Sequence, residues 1–294
     1  MTIRRDVRGI DIHTHVMRSI GQEDTRLNPA EEAIAATFRG GRFLDLLEMA
    51  EYYRQRNLAL VAFTVDDRTR SGQPPGVSAE EIALAVVEHG LDDVVIPFTS
   101  VDPHRGVEAL RDVERHVREL GCRGVKLHPS QQGFYPDDRQ FYPLYETITE
   151  LGVPIIVHSG QTAVGRGQRG GGGIRLKYSD PMRLDDVAVD HPDLDIVIAH
   201  PSFPWQDEAI AVALHKPNVY IDLSGWAPKY FPPQLVRYAR TQLQDKVLFG
   251  SDYPAITPDR WFDEFAAYEL PEDVFDKIVR RNAARLLGLE LGTD

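Results

Sequence analysis

Eight short apolar runs, rich in β-branched residues, recur along this chain, and a helix-period segment separates each from the next. They are VRGIDIH (7–13), NLALVAFT (57–64), VVIPFTSV (94–101), RGVKLH (123–128), VPIIVHS (153–159), LDIVIAH (194–200), NVYIDLS (218–224) and KVLFGSD (246–252). Runs that are apolar at nearly every position suit parallel strands covered on both faces, since strands with one wet face alternate apolar and polar residues. Strand-then-helix units repeated eight times predict an α/β fold, a (β/α)8 TIM barrel. A doubly wound open sheet is the competing architecture, but it usually carries a glycine-rich phosphate turn after its first strand, where this chain carries histidines.

Start signals for the helices support the alternation. Asp102-Pro103 places an N-cap residue before a proline, and Val107, Leu110, Val113 and Val117 follow at helical spacing. Ser78 with Glu81 three residues on matches a capping box. Phe43, Leu46, Leu47, Ala50 and Tyr53 form an apolar stripe that reads as core. The 294 residues fit one large barrel, and no repeat or linker interrupts them, so residues 1–294 are expected to form one domain.

Charge and cysteine content narrow the function classes. A formal net charge of -12 argues against nucleic acid and against an anionic membrane surface as partners, while leaving room for an anionic small molecule held by local arginines. No run approaches the roughly 18 apolar residues of a membrane span. The single cysteine, Cys122, permits no intrachain disulfide and reads as structural, so a cytoplasmic location is expected. A small-molecule substrate is the expected partner, and a homo-oligomer remains open.

The chemistry gathers at the carboxyl ends of the runs, where a barrel carries its functional loops. The first run ends in His13-Thr14-His15. Alternate strand residues face the same way, so both imidazoles point to one side, with Cα atoms about 6–7 Å apart. Alone, such a pair is more often two satisfied polar residues. His128, His158 and His200, however, close the fourth, fifth and sixth runs, and the eighth ends in Gly250-Ser251-Asp252. The other five histidines (His89, His104, His116, His191, His215) fall on helices or turns and read as solvated or packing residues.

In a barrel, His13, His15, His158, His200 and Asp252 would converge on one face. Imidazoles with one carboxylate suit zinc or a similar divalent ion with an open position for water, whose pKa such an ion lowers to about 7. Asp252 could act as ligand and as base. Lys126, two residues before His128, should also point into the barrel. It reads as a carbamylated bridge between two metals, as an ammonium for a substrate carboxylate, or as the partner of another acid.

Long connections follow the strands (16–40, 65–77, 129–138, 159–179), whereas the returns, such as Leu120-Gly121-Cys122, are short. The segment SGQTAVGRGQRGGGGIRLKYSD has four consecutive glycines and carries Arg166, Arg169, Arg175 and Lys177. It is either a solvated surface loop or a lid over the site. Arg166 and Arg169, with His128, Trp205 and Trp226, are the candidate substrate-binding residues.

DIHTH, GVKLHP, PIIVHSG, IVIAHP, VYIDLSG, VLFGSDYP and the terminal NAARLLGL together resemble the amidohydrolase superfamily, in the amidohydrolase-related branch that includes aminocarboxymuconate-semialdehyde decarboxylase. The resemblance runs from about residue 10 to 289. It implies that His13, His15, His158 and Asp252 bind the metal, as one ion or one of two, with zinc the expected metal. It also implies that His200 assists catalysis or joins a second metal. Lys126 departs from the decarboxylases of the branch, which are mononuclear and usually lack a lysine in that setting.

HPSQQGFYPDD, the stretch from HPSFPWQDE to APKYFP, and SDYPAITPDRW are similar to bacterial amidohydrolases of hydroxycinnamate catabolism, which cleave an aromatic β-ketoacyl-CoA. The expected function is therefore that of a metal-dependent hydrolase in which metal-bound hydroxide attacks a carbonyl of an aromatic or carboxylate-bearing substrate. Asp252, His200 and Lys126 are the expected catalytic residues. A non-oxidative decarboxylase of an aromatic or muconate-type acid is the alternative, and a barrel that only binds a ligand is a third reading.

Overall fold

In the computed structural model, which describes residues 3–4, 6–22, 32, 35, 37 and 42–291, parallel strands alternate with helices from end to end. The strands are β1 (Gly9–His15), β2 (Leu58–Phe63), β3 (Val95–Pro97), β4 (Thr99–Ser100), β5 (Val125–Leu127), β6 (Ile155–His158), β7 (Ile196–Ala199), β8 (Val219–Asp222) and β9 (Val247–Leu248). The main helices between and after them are α1 (Leu46–Arg54), α2 (Ala79–Glu88), α3 (Val107–Arg118), α4 (Tyr142–Leu151), α5 (Arg183–Asp190), α6 (Gln206–His215), α7 (Pro233–Arg240) and α8 (Pro258–Phe265). Much of the 16–40 connection lies outside the described residues.

Hydrogen-bonded pairing runs β1-β2-β3 and then β4 through β9, every pair parallel. The third apolar run, expected as one strand, is two short ones. Phe98 separates them, its N–H bonding the Ala62 carbonyl at 3.0 Å while Thr99 N–H bonds the Gly124 carbonyl at 2.9 Å. The Phe98 ring lies inside, across Gly124, where any Cβ would meet it at 2.2 Å. At the other seam the first and last strands join: Ile12 N–H bonds the Phe249 carbonyl at 3.0 Å, Asp252 N–H the His13 carbonyl at 2.9 Å, and His15 N–H the Tyr253 carbonyl at 2.8 Å. The architecture is a (β/α)8 barrel.

Side-chain alternation sorts the core into an inside and an outside. Ile10, Ile12, Val61, Phe63, Ile96, Ile156, Val197 and Leu248 share the inner cluster. Val125, Leu127, Ile155, Val157, Ile196, Ile198, Val219 and Ile221 face outward against helix residues such as Val113, Leu144, Ile148 and Val187. Burial at this scale, roughly 1.5–3 kcal/mol per large apolar side chain, makes the strand ends rigid mounts. Ser78 accepts from Glu81 N–H at 3.0 Å at the start of α2. Asp45 and Glu48 close a reciprocal cap on α1, which begins at Leu46, so Phe43 precedes the helix. Cys122 is buried, and burial pushes its thiol up to about 12, which keeps it unreactive. Among the described residues no helix is long and apolar enough to cross a membrane.

Candidate active site

Parity alone would send His13 the wrong way. Ile10 and Ile12 point into the barrel, so a regular strand would turn residue 13 outward. The β1–β2 pairing runs Asp11↔Leu60 and then Thr14↔Ala62, three residues of β1 against two of β2, which is a bulge. This extra residue swings His13 and His15 inward together, their ring centroids 5.3 Å apart.

His13 is fully buried, and its Nδ1 lies 2.8 Å from Asp222 Oδ2. An ionised carboxylate only accepts, so Nδ1 carries the proton and the Nε2 lone pair faces the site. Burial, with the Lys126 charge, lowers the His13 imidazole to about 3, so it is neutral at neutral pH. Its Nε2 lies 3.4 Å from Asp252 Oδ1, and His15 Nε2 lies 3.1 Å from the same oxygen. These three atoms fall within 4.8 Å of one another, a spacing that one ion could bridge.

A relay fixes the second half of the site. Asp222 Oδ1 accepts from His200 N–H at 3.1 Å, Ser224 N–H at 2.9 Å and the Ser224 hydroxyl. Burial works to raise the Asp222 carboxyl, but His13, His200 and Ser224 outweigh it and hold the group well below the usual carboxylate range. Because the Ser224 proton goes to Asp222, Ser224 Oγ must accept from His200 Nδ1, 2.8 Å away. His200 Nε2 is then the acceptor for His158 Nδ1–H at 2.9 Å. The relay leaves His158 Nε2 as a bare lone pair, buried and without a partner. His128 stacks on the His158 ring at 3.7 Å and holds it in plane. His158 nevertheless stands outside the clusters whose donor atoms lie within 4.8 Å.

These residues fit a divalent cation. Four atoms of ligand type (His13 Nε2, His15 Nε2, Asp252 Oδ1 and the orphaned His158 Nε2) occupy one end of the barrel, and three of them already converge. For Asp252, burial works to raise the carboxyl, but the His15 hydrogen bond and the neighbouring histidines dominate and keep it ionised. Lys126 lies fully buried beneath, its Nζ 3.1 Å from His13 Nε2, and burial lowers it to about 8 against the pull of Asp222 and Asp252. Both His200 (φ 72°) and Asp252 (φ 64°) sit in the left-handed region. Strain of that kind, about 1–3 kcal/mol each, is tolerated where the surroundings over-determine it.

Above the donors opens a cavity of about 740 Å³, within the range of small-molecule sites. His15, His128, His158, His200, Asp252 and Trp226 line it. Arg166, Arg169 and Trp205 do not: both arginines point to solvent, while Gly165, Gln168, Gly172 and Ile174 of the same loop form the wall. Arg70, which the sequence reading passed over, is the cationic lining residue among those described. Its guanidinium is held by Asp67 Oδ2 at 2.5 Å and by the Gln131 carbonyl. Asp222 was also missed, although it closes the seventh run as the histidines close theirs. Ser224 and Gly225 stand in the VYIDLSG stretch, but no residue-type signal singled them out as site residues.

The buried histidines make the metal-free protein acid-sensitive. Burial lowers His13, His128, His158 and His200 from 6.5, so the unfolded chain binds more protons than the folded one below that pH. Stability is therefore full above 6.5 and lost as pH falls below it. With total stability of only roughly 5–15 kcal/mol, chelator-treated protein should unfold as the pH falls below 6.5. Circular dichroism against pH checks this, and a flat signal down to about pH 3 would contradict it.

The family model described as Amidohydrolase matches residues 10–289. Among curated proteins, Protein fluG of Emericella nidulans is 33% identical over 150 residues, 47% of this chain, and the match spans only 16% of that protein's length. Among solved structures, an uncharacterised TIM-barrel protein of Bordetella bronchiseptica superposes with a TM-score of 0.75 at 24% identity, covering 95% of this chain and 98% of that one. A dihydroxybenzoic acid decarboxylase of Polaromonas sp. JS666, solved with manganese and 2-nitroresorcinol, gives 0.66 at 19% identity, covering 99% and 98%. A probable 2-pyrone-4,6-dicarboxylic acid hydrolase of Acinetobacter baumannii, with citric acid bound, gives 0.61 at 16%, covering 96% and 100%.

Proposed function

The chain belongs to the Amidohydrolase family, and from that premise we propose that this enzyme is a metal-dependent hydrolase acting at a carbonyl of an aromatic, carboxylate-bearing substrate. An aromatic β-ketoacyl thioester, cleaved at carbon–carbon, falls within that class. His13, His15, His158 and Asp252 would hold a divalent ion, with zinc the metal that this imidazole and carboxylate set suits. Bound there, such an ion supplies a Lewis acid for a carbonyl oxygen and brings the pKa of water to about 7.

The observation that carries hydrolysis is the protonation pattern at the cavity floor. Asp252 is ionised, belongs to the donor cluster and lines the cavity, so it is placed to take a proton from water. His200 donates Nδ1–H to Ser224 and accepts at Nε2, so in this arrangement it has no proton to give to carbon. A decarboxylase needs such an acid. Trp226 and the prolines of the wall (Pro74, Pro75, Pro254) supply apolar contact for a ring and exclude water.

The second reading, non-oxidative decarboxylation of an aromatic or muconate-type acid, draws on the likeness to the manganese-bearing Polaromonas decarboxylase. One experiment separates the two. The purified protein is given aryl esters, lactones, aromatic β-ketoacyl thioesters and hydroxybenzoates in ¹⁸O-labelled water. Hydrolysis puts label into the carboxylate product without carbon dioxide. Carbon dioxide release without label would overturn the proposal.

A further inference from the structure

We infer that Asp11 is the positioning residue of the metal site, a single buried carboxylate that aims His13, His15 and Asp252 together. The inference rests on the reading of these residues as ligands, and it assigns a task to a residue that touches neither cavity nor substrate. Asp11 is fully buried and accepts four hydrogen bonds. Two come from its own side of the seam: His13 N–H reaches Oδ1 at 3.2 Å and the Tyr53 hydroxyl reaches Oδ2 at 2.7 Å. Two come across it: Ser251 N–H reaches Oδ1 at 2.9 Å and the Ser251 hydroxyl reaches Oδ2 at 2.5 Å.

Each bond has a geometric consequence. The bond from His13 N–H spans two residues and closes the bulge between Asp11 and Thr14, the irregularity that turns both histidines inward. The pair of bonds from Ser251 holds the residue just before Asp252, where the backbone must enter the left-handed region. Ser251 Oγ in turn accepts from Tyr253 N–H at 3.0 Å, so the turn is held on both sides of Asp252. Tyr53, from the buried face of α1, fixes the remaining oxygen direction. Without Asp11 the bulge and the strained turn would relax independently, and the three donor atoms would lose the spacing they now share.

The test measures cation binding rather than turnover. Apoprotein, prepared by chelation, is titrated with Mn²⁺ and Zn²⁺ in parent and Asp11→Asn forms, with the Mn²⁺ spin-resonance spectrum recorded at saturation. The substituted amide keeps an oxygen for the two N–H donors but presents NH₂ to the hydroxyls of Ser251 and Tyr53. Outer residues that orient ligands typically contribute about 10–100-fold to metal affinity, so a fall of about that size is expected, with an altered Mn²⁺ spectrum. A variant that is thermally weaker yet binds at parental affinity with the parental spectrum would overturn the inference. If Asp11→Asn does not fold, Ser251→Ala serves: a fall of several-fold supports the inference and unchanged affinity overturns it. A parent that binds neither ion refutes the ligand reading itself, a result distinct from either of these.

Discussion

Replacing Asp252 by asparagine should lower turnover by about 10³-fold or more while leaving the barrel folded, because under the proposed function the loss combines a ligand charge with a general base. Asparagine preserves the shape of the side chain and is among the few residues that tolerate the left-handed conformation found at φ 64°. What it removes is the ionised oxygen, 3.1 Å from His15 Nε2 and 3.4 Å from His13 Nε2, which is held ionised by those neighbours against the cost of burial. The thermal midpoint should stay within a few degrees of the parent, since no cavity or clash is made. Steady-state kinetics on whichever substrate the labelled-water panel identifies, with metal content measured on the same samples, checks this. Parental turnover in the variant would remove Asp252 from the chemistry.

Gly225→Ala should be nearly as damaging, through a single methyl group. A Cβ on Gly225 would lie 2.5 Å from His200 Nδ1 and 2.9 Å from its Cε1, so the ring must move. That nitrogen bonds Ser224 at 2.8 Å, and the opposite ring nitrogen receives His158 at 2.9 Å, so a displaced His200 breaks the relay from Asp222 to His158. Misplacement of about 1 Å commonly costs on the order of 100-fold in rate, and that fall is expected here. Gly225 also has φ 73°, which adds a backbone penalty of about 1–2 kcal/mol for any L-residue. Gly121→Ala separates the two effects, because Gly121 shares the conformation (φ 75°) with nothing within 4 Å of a Cβ. The control should lose stability alone. Equal activity in both variants would mean that the ring position is unimportant.

Much of this site could be read directly from residue order. Strand ends are where a barrel presents its chemistry, so His13, His15, His158, His200 and Asp252 stood out as polar residues closing apolar runs, and the same logic applied to the seventh run would have found Asp222. Arg166 and Arg169 drew notice as charges in a glycine-rich segment, yet the wall of the cavity comes from Gly165, Gln168, Gly172 and Ile174, with Arg70 entering from the loop after β2. Loop direction depends on φ and ψ at each glycine, and residue type leaves those angles free.

By itself, the order of residues determined the alternation of strand and helix, the parallel barrel and the set of donors at its carboxyl end, because periodicity and burial are local properties summed along the chain. Tertiary structure alone decided which way those donors point. The bulge after Asp11 inverts the parity that a regular strand would give His13, and the Asp222–Ser224–His200–His158 relay places each proton. Both depend on hydrogen bonds between residues tens to hundreds of positions apart. Such bonds exist only once the strands have assembled side by side into the barrel.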